Sequence, residues 1–207
     1  FLPSQGTFVD NPNGKIRRSF FTGEPDYDYF KRDQWSVGSL FEHRFSDRWT
    51  YRNTARYSKI KYDGKTVFGG GLVLDKDGQP LDWRTLTRFA FGSTFDLNIF
   101  TMDNNLSYHV MSGNVEHNVM VGVDYSDSAQ TTVSAFAGAP TLDIFNPVYG
   151  TETIGDLFTY LNSKQPYSLV GLYAQDHVKI GKKWVVSASA RHDWTKQSTE
   201  NRLGDSP

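Results

Sequence analysis

DQWSVGSLFEHRFSDRWTYRNTARYSKIKY, residues 33–62, is the stretch on which the fold turns. Its halves, about Asp33 to Phe45 and Arg48 to Tyr62, have only Ser46 and Asp47 between them, a joint short enough only for a hairpin. In the first half Trp35, Val37, Phe41 and Phe45 share one parity, and Gln34, Ser36, Glu42 and Arg44 the other. In the return half Trp49, Tyr51, Ala55 and Tyr57 alternate with Arg48, Thr50, Arg52, Thr54, Arg56 and Ser58. Successive side chains of a strand point to opposite faces, so each half has one oily and one wet face.

Two further pairs repeat the pattern. Roughly Leu97 to Val110 and Val115 to Asp127 turn around Ser112, Gly113 and Asn114, with Phe100, Met102, Leu106, Tyr108 and Val110 alternating with Ile99, Thr101, Asp103, Asn105 and Ser107. About Tyr167 to Ile180 and Trp184 to Trp194 turn at Gly181, Lys182 and Lys183. Parity predicts that Trp35, Val37, Trp49, Tyr51, Val121, Leu172 and Val186 face lipid, while Arg52, Arg56, Glu116, Asp124, Arg191 and Asp193 face a lumen.

A soluble sandwich also alternates and stays open on pattern alone. The connections favour a membrane barrel. Residues 63–96 and 128–166 read as long aromatic loops of more than 30 residues each, against tight turns at the other end, which is the asymmetry of an outer-membrane barrel. Trp35, Phe45, Trp49, Tyr57, Tyr108, Tyr125, Trp184 and Trp194 stand near strand ends, where interfacial girdles sit. The expected class is therefore all-β: an antiparallel transmembrane barrel segment of about six strands in three hairpins.

The 207 residues begin at Phe1 without a methionine and stop in a polar stretch, which reads as an internal piece. A mean hydropathy of −0.53 and 22% charged residues suit a barrel, in which only alternate residues of the spanning zone must be apolar. No run approaches 18 apolar residues, so a transmembrane helix is not expected. Zero cysteines exclude a disulfide frame and thiolate metal sites. A net charge of −1 with evenly spread signs gives no basic patch for nucleic acid. Aromatic residues reach 15%, and in loops, where no core demands them, they suggest a binding surface.

Smaller signals are local. Asn11-Pro12-Asn13-Gly14 predicts a turn. Ile154, Leu157, Phe158 and Leu161 have helical spacing with Thr153 as a cap, which predicts a short helix. Five histidines, His43, His109, His117, His177 and His192, fall on five separate strands without ligand spacing and read as packing residues. Phe68-Gly69-Gly70-Gly71 lacks the Lys-Ser/Thr of a phosphate loop and reads as a bend or a close approach. Glu24, Asp26 and Asp28 lack the calcium-loop pattern and read as a solvated loop. Arg191 and Asp193 beside Ser187 and Ser189 read as a salt-bridged wall. No nucleophile and base can be paired, so nothing points to an enzyme.

The strings NPNGKI (11–16), FFTGEPDYDYFKRDQWSVG (20–38), FEHRFSDRWTYRNTARYS (41–58), VEHNVMVGVDY (115–125), DIFNPVYG (143–150), GLYAQDHVKI (171–180) and SASARHDW (187–194) resemble the ferrichrome-type, hydroxamate branch of TonB-dependent siderophore receptors. The resemblance implies a 22-stranded outer-membrane barrel, set in lipid and lipopolysaccharide, around an N-terminal plug through which TonB powers uptake of iron(III)–siderophore. Residues 1–207 would be part of the barrel domain, without the plug. No resident cofactor or metal is implied, since the iron complex is the ligand. Matched by resemblance, the barrel side of the ligand site falls on Phe1, Phe68, Gly70 and Phe136. The family's ferrichrome binder has tyrosines where Phe68 and Gly70 stand, so phenolic hydrogen bonds are absent and Gly70 leaves extra room. It also has a loop disulfide that this chain lacks. A porin, an outer-membrane enzyme and a receptor for another siderophore are the rival expectations.

Overall fold

A computed structural model describes residues 2–204, and Phe1 lies outside them. Six long strands run in sequence order: β1 (Tyr29–Arg44), β2 (Trp49–Leu72), β3 (Thr85–Ser112), β4 (Val115–Asp143), β5 (Phe158–Ile180) and β6 (Trp184–Gln197). A short β7 (Glu200–Asn201) pairs with β5 beyond the end of β6. Every neighbour pair is antiparallel. Two of the three tight turns, β3–β4 and β5–β6, carry a glycine of positive φ, Gly113 and Gly181, whereas Ser46 and Asp47 make the β1–β2 turn without one. Gly113, at φ +62°, begins the two-residue turn between Ser112 and Val115, a left-handed conformation that other residues adopt only with strain.

The spanning halves lie where the alternation predicts, but the long loops do not. Strand β2 continues to Leu72, β3 begins at Thr85, β4 runs to Asp143 and β5 starts at Phe158. Only residues 73–84 and 144–157 connect them, so most of the predicted loops 63–96 and 128–166 is sheet. The predicted helix is absent too: Phe158 and Leu161 pair with Phe136 and Ser134 in the ladder. At about 3.3 Å per residue, the 28 residues of β3 extend roughly 90 Å, against the 9–11 residues that cross hydrocarbon. The sheet therefore projects far past any bilayer at the end opposite the tight turns, here called the distal end.

The register gathers the two parities onto two faces. Rows such as His43–Tyr51–Leu106–Val121–Ala174–Ala190 form an apolar belt, while Glu42–Arg52–Asn105–Gly122–Tyr173–Arg191 run across the polar face. Trp49 and Tyr108 meet at a tilt with centroids 4.4 Å apart at one edge of the belt, and Trp35 and Tyr57 at 5.5 Å at the other. Trp49 and Tyr57 stand eight positions apart, about 27 Å along the strand, which the usual tilt of about 40° makes roughly 20 Å in height, of the order of the ~25 Å apolar band of outer-membrane barrels. Above Trp35 the same face turns charged, with Lys31, Asp33, Lys61, Asp63 and Asp96, and Lys59 lies 3.6 Å from Asp96.

At the distal end the belt face is covered by the chain itself. Ile16, Leu72, Leu86 and Ile144 form a small buried core flanked by Phe20, Trp83 and Phe145. Residues 2–28 and 144–157 lie across it. Asn11 fixes the predicted turn through its side-chain oxygen on the Asn13 N–H (2.8 Å) and donates to the Trp83 carbonyl (2.8 Å). The acidic stretch is not simply solvated. Arg88, 2% exposed as a side chain, donates to Glu24 Oε2 (2.9 Å), the Gly23 carbonyl (2.9 Å) and the Pro140 carbonyl (2.7 Å), while Gly150 N–H donates to Glu24 Oε1 (2.7 Å). Asp28 accepts the Val67 N–H at 2.8 Å.

Candidate functional site

Of the predicted site residues, Phe1 lies outside the described residues, and Phe68, Gly70 and Phe136 sit on strands rather than in loops. Phe68 (β2) and Phe136 (β4) both project from the polar face, separated by β3. Strand β3 bridges them with aromatics of its own: Phe68 pairs with Phe89, and Phe91 with Phe136, two positions further along. Gly70 presents no side chain, and the space beside it is not open. A Cβ there would meet the ring of Phe89, with Cδ2 at 2.9 Å and Cε2 closer still.

The result is an aromatic wall across four strands. Phe68 and Phe89 rings lie 6.0 Å apart, and Phe136 touches Phe158 at 6.1 Å and Tyr160 at 5.6 Å, both edge-on. Below them Phe30, Tyr62 and Phe95 form a second group with centroids 5.0 and 5.2 Å apart. Phe136 remains 45% exposed and Phe158 67%, so the wall is open to a ligand. Parity carried upward from Asp103 and Asn105 leads to Phe95, Phe91 and Phe89, so an unbroken alternation was the signal by which sequence reasoning could have found them. Tyr160 gave no such signal, because it is the extra residue at the register shift opposite Ser134 and Ala135.

Charge is sparse here. From the Arg56 row up to the Phe68 row, the described strand residues of the polar face carry Arg56 and Arg32 and no carboxylate, and Asp143 follows only at the distal edge. At the distal rim, burial alone would raise the Asp143 carboxyl, but hydrogen bonds from Arg84 (2.7 Å) and from the Phe145 and Asn146 N–H groups outweigh it and hold its pKa low. The Thr85 hydroxyl and then the Thr85 and Arg84 N–H groups do the same for Asp82.

Toward the tight turns the polar face becomes a charge network, as Arg191 and Asp193 predict. Arg191 bridges Asp124 and Asp193 at 2.6 Å each, Arg52 meets Glu42 at 2.7 Å, and Tyr173 donates to Asp103 at 2.7 Å. Gly122 gives the Tyr173 ring its place, and Gly171 leaves room for the three charged groups. On this face His177 contacts the Ser187 hydroxyl at 2.7 Å, and on the opposite face His117 contacts the Asp176 carboxylate at 2.8 Å, both pairwise structural contacts.

Comparison with known proteins agrees with this geometry. The sequence profile of the family described as TonB dependent receptor-like, beta-barrel, matches residues 1–207. The ferrioxamine B receptor of Salmonella typhimurium strain LT2 is 34% identical over 206 residues, covering 99% of this chain and 28% of that protein. The ferrichrome outer membrane transporter/phage receptor of Escherichia coli K12 is 27% identical over 98% of this chain and 29% of its own length. The crystal structure of the ferric-catecholate import receptor Fiu from E. coli K12, in its closed form, superposes with a TM-score of 0.81 at 23% identity, over 97% of this chain and 30% of that one, and shares the fold. This chain thus spans less than a third of the relatives it matches. It belongs to the β-barrel family of TonB-dependent receptors.

Proposed function

We propose that this chain is part of the barrel of an outer-membrane receptor that takes up an iron(III)–siderophore complex of the hydroxamate class, driven by TonB through a plug outside these residues. The observation that carries it is the wall of Phe68, Phe89, Phe91, Phe136, Phe158 and Tyr160, on a face where, among the described strand residues, the nearest charged side chain toward the tight turns is Arg32, paired with Tyr62 six positions below Phe68. A ferric trihydroxamate encloses iron in hard oxygen donors and shows a carbon-rich, nearly neutral exterior, which aromatic rings cover without ligating the metal. A ferric tris-catecholate is multiply anionic and calls for a cluster of cations. The band of Lys31, Lys59 and Lys61 interleaved with Asp33, Asp63 and Asp96, at and beyond the Trp35 row, suits contact with the polar headgroup layer of the outer leaflet.

Burying an aromatic ring against a ligand's carbon surface is worth about 1.5–3 kcal/mol, so Phe136→Ala in the full-length receptor weakens hydroxamate binding by roughly one to two decades. Titration with ferrichrome, ferrioxamine, coprogen and a ferric catecholate, followed by intrinsic fluorescence, tests it. Unchanged affinity for each hydroxamate that binds the wild type removes Phe136 from the site. Binding of the catecholate alone transfers the receptor to that class.

A further inference from the structure

We propose that Phe89 is a specificity-determining contact of this site, and that position 70 is glycine because it seats the Phe89 ring. The proposal rests on the siderophore reading and goes further by naming a residue that no resemblance supplied. Gly70 and Gly71 are neighbours with different reasons for being glycine. Gly71 has φ +122°, a conformation L side chains rarely adopt, and no atom within 4 Å of where its Cβ would stand. Its backbone demands glycine. Gly70 has no left-handed φ, and its Cβ position is instead taken up by the Phe89 ring, with Cδ2 at 2.9 Å and Cζ at 3.4 Å. What excludes a side chain at 70 is therefore that ring.

The register shift between Gly69 and Gly71 makes Gly70 the bulged residue, so β2 bends where Phe89 crosses it. Phe89 is thereby held against the β2 backbone on one side and within 6.0 Å of Phe68 on the other, yet stays 38% exposed on the polar face. A ring so fixed offers an apolar surface without a hydroxyl. It selects a ligand by its uncharged carbon shell, as a hydroxamate complex presents, and contributes no hydrogen bond to the chelating oxygens.

The test is a double-mutant cycle on the full-length receptor: wild type, Phe89→Ala, Gly70→Ala and the double variant, titrated with ferrioxamine and ferrichrome, with heat-modifiable mobility as the folding control. Phe89→Ala is expected to weaken binding about tenfold or more. Gly70→Ala is expected to weaken it too, by displacing the ring, but to add nothing in the Phe89→Ala background, since there is no ring left to displace. A folded Phe89→Ala that binds within twofold of wild type overturns the assignment, and so does a Gly70→Ala penalty that persists undiminished in the double variant. A wild-type receptor that binds no hydroxamate overturns the functional reading itself, a result distinguishable from both.

Discussion

Replacing Arg88 with methionine should unfasten the distal end while leaving the sheet intact. Arg88 satisfies three acceptors at once, Glu24 and the carbonyls of Gly23 and Pro140, inside a patch where its own side chain is 2% exposed and that of Glu24 10%. Removing one member of a buried ion pair leaves the other uncompensated, at a cost of about 3–5 kcal/mol. Two carbonyls also lose a donor, which places the cost toward the upper end. Methionine keeps the length and apolar stem, so the loss is electrostatic rather than a cavity. The β3 ladder does not depend on this side chain, whereas residues 11–28 and Gly150 do. The penalty therefore appears as local opening: amide exchange across 11–28 and at Gly150 in the intact receptor rises by about two to three and a half decades, at 1.4 kcal/mol per decade. Glu24→Leu together with Arg88→Met restores much of the protection, because a matched apolar pair leaves no stranded charge. An exchange increase below tenfold in Arg88→Met, or a double variant no better protected than the single one, refutes the latch.

Two further outcomes follow from the faces and the rim. Val121→Arg places a guanidinium in the middle of the apolar belt and should cost about 2–4 kcal/mol of barrel stability, whereas Gln175→Arg on the exposed polar face costs much less; equal losses in chemical denaturation from vesicles would contradict the sidedness. The Asp143 pKa is lowered on folding, so its stabilisation is present above the ordinary aspartate value of 3.8 and is lost as pH falls through the lower folded value. Protection factors of the Phe145 and Asn146 amides should accordingly hold from neutral pH down to 3.8 and fall only below it, and an earlier loss in milder acid would show that the carboxylate is not what holds that turn.

The spanning strands were legible because the bilayer imposes a hard contrast. Between Trp49 and Tyr57 one face must be apolar and the other can be charged, so alternation is marked; where Asn53 and Asn104 interrupt the belt face, Asn53 and the Tyr51 hydroxyl both donate to the Asn104 side-chain oxygen. Past Tyr57 both faces meet water or other protein, and the contrast fades: apart from Phe68 and Phe136, Thr66 to Gly71 and Ser128 to Ala139 carry small or mild residues on both sides, and glycine there looks like a loop. The same residues keep their ladder hydrogen bonds with β3, so they remain strand. The helical spacing at 154–161 misled for a related reason. Leu157 and Phe158 go to opposite faces, Leu157 against Gly92 and Phe158 against Phe136, which satisfies the spacing without a helix. Glu24 could not be read at all, since Arg88 lies 64 positions away and nothing local marks the pair.

The irregularities of the sheet fall together. From Trp49 to Ile60 in β2, and across the matching rows of β3, β4 and β5, the register runs unbroken. Its shifts occur at Gly69/Gly71, between Leu86 and Arg88, and at Ser134/Ala135, each within two positions of Phe68, Phe89 or Phe136. A bulge bends its strand and re-aims a side chain, and such bulges concentrate beside functional sites. Here one seats Phe89 over Gly70, and another brings Tyr160 onto Phe136. Were the distal sheet only a support for loops, nothing would require its defects to coincide with its exposed rings. Their coincidence means that the wall is shaped by the backbone itself, and a strand-borne wall holds its rings at distances set by register rather than by loop motion. If the wall binds the ligand as proposed, selectivity comes from the fit of a carbon surface against fixed rings, and it should respond more to a single methyl at Gly70 than to exchanges in the connecting residues 73–84.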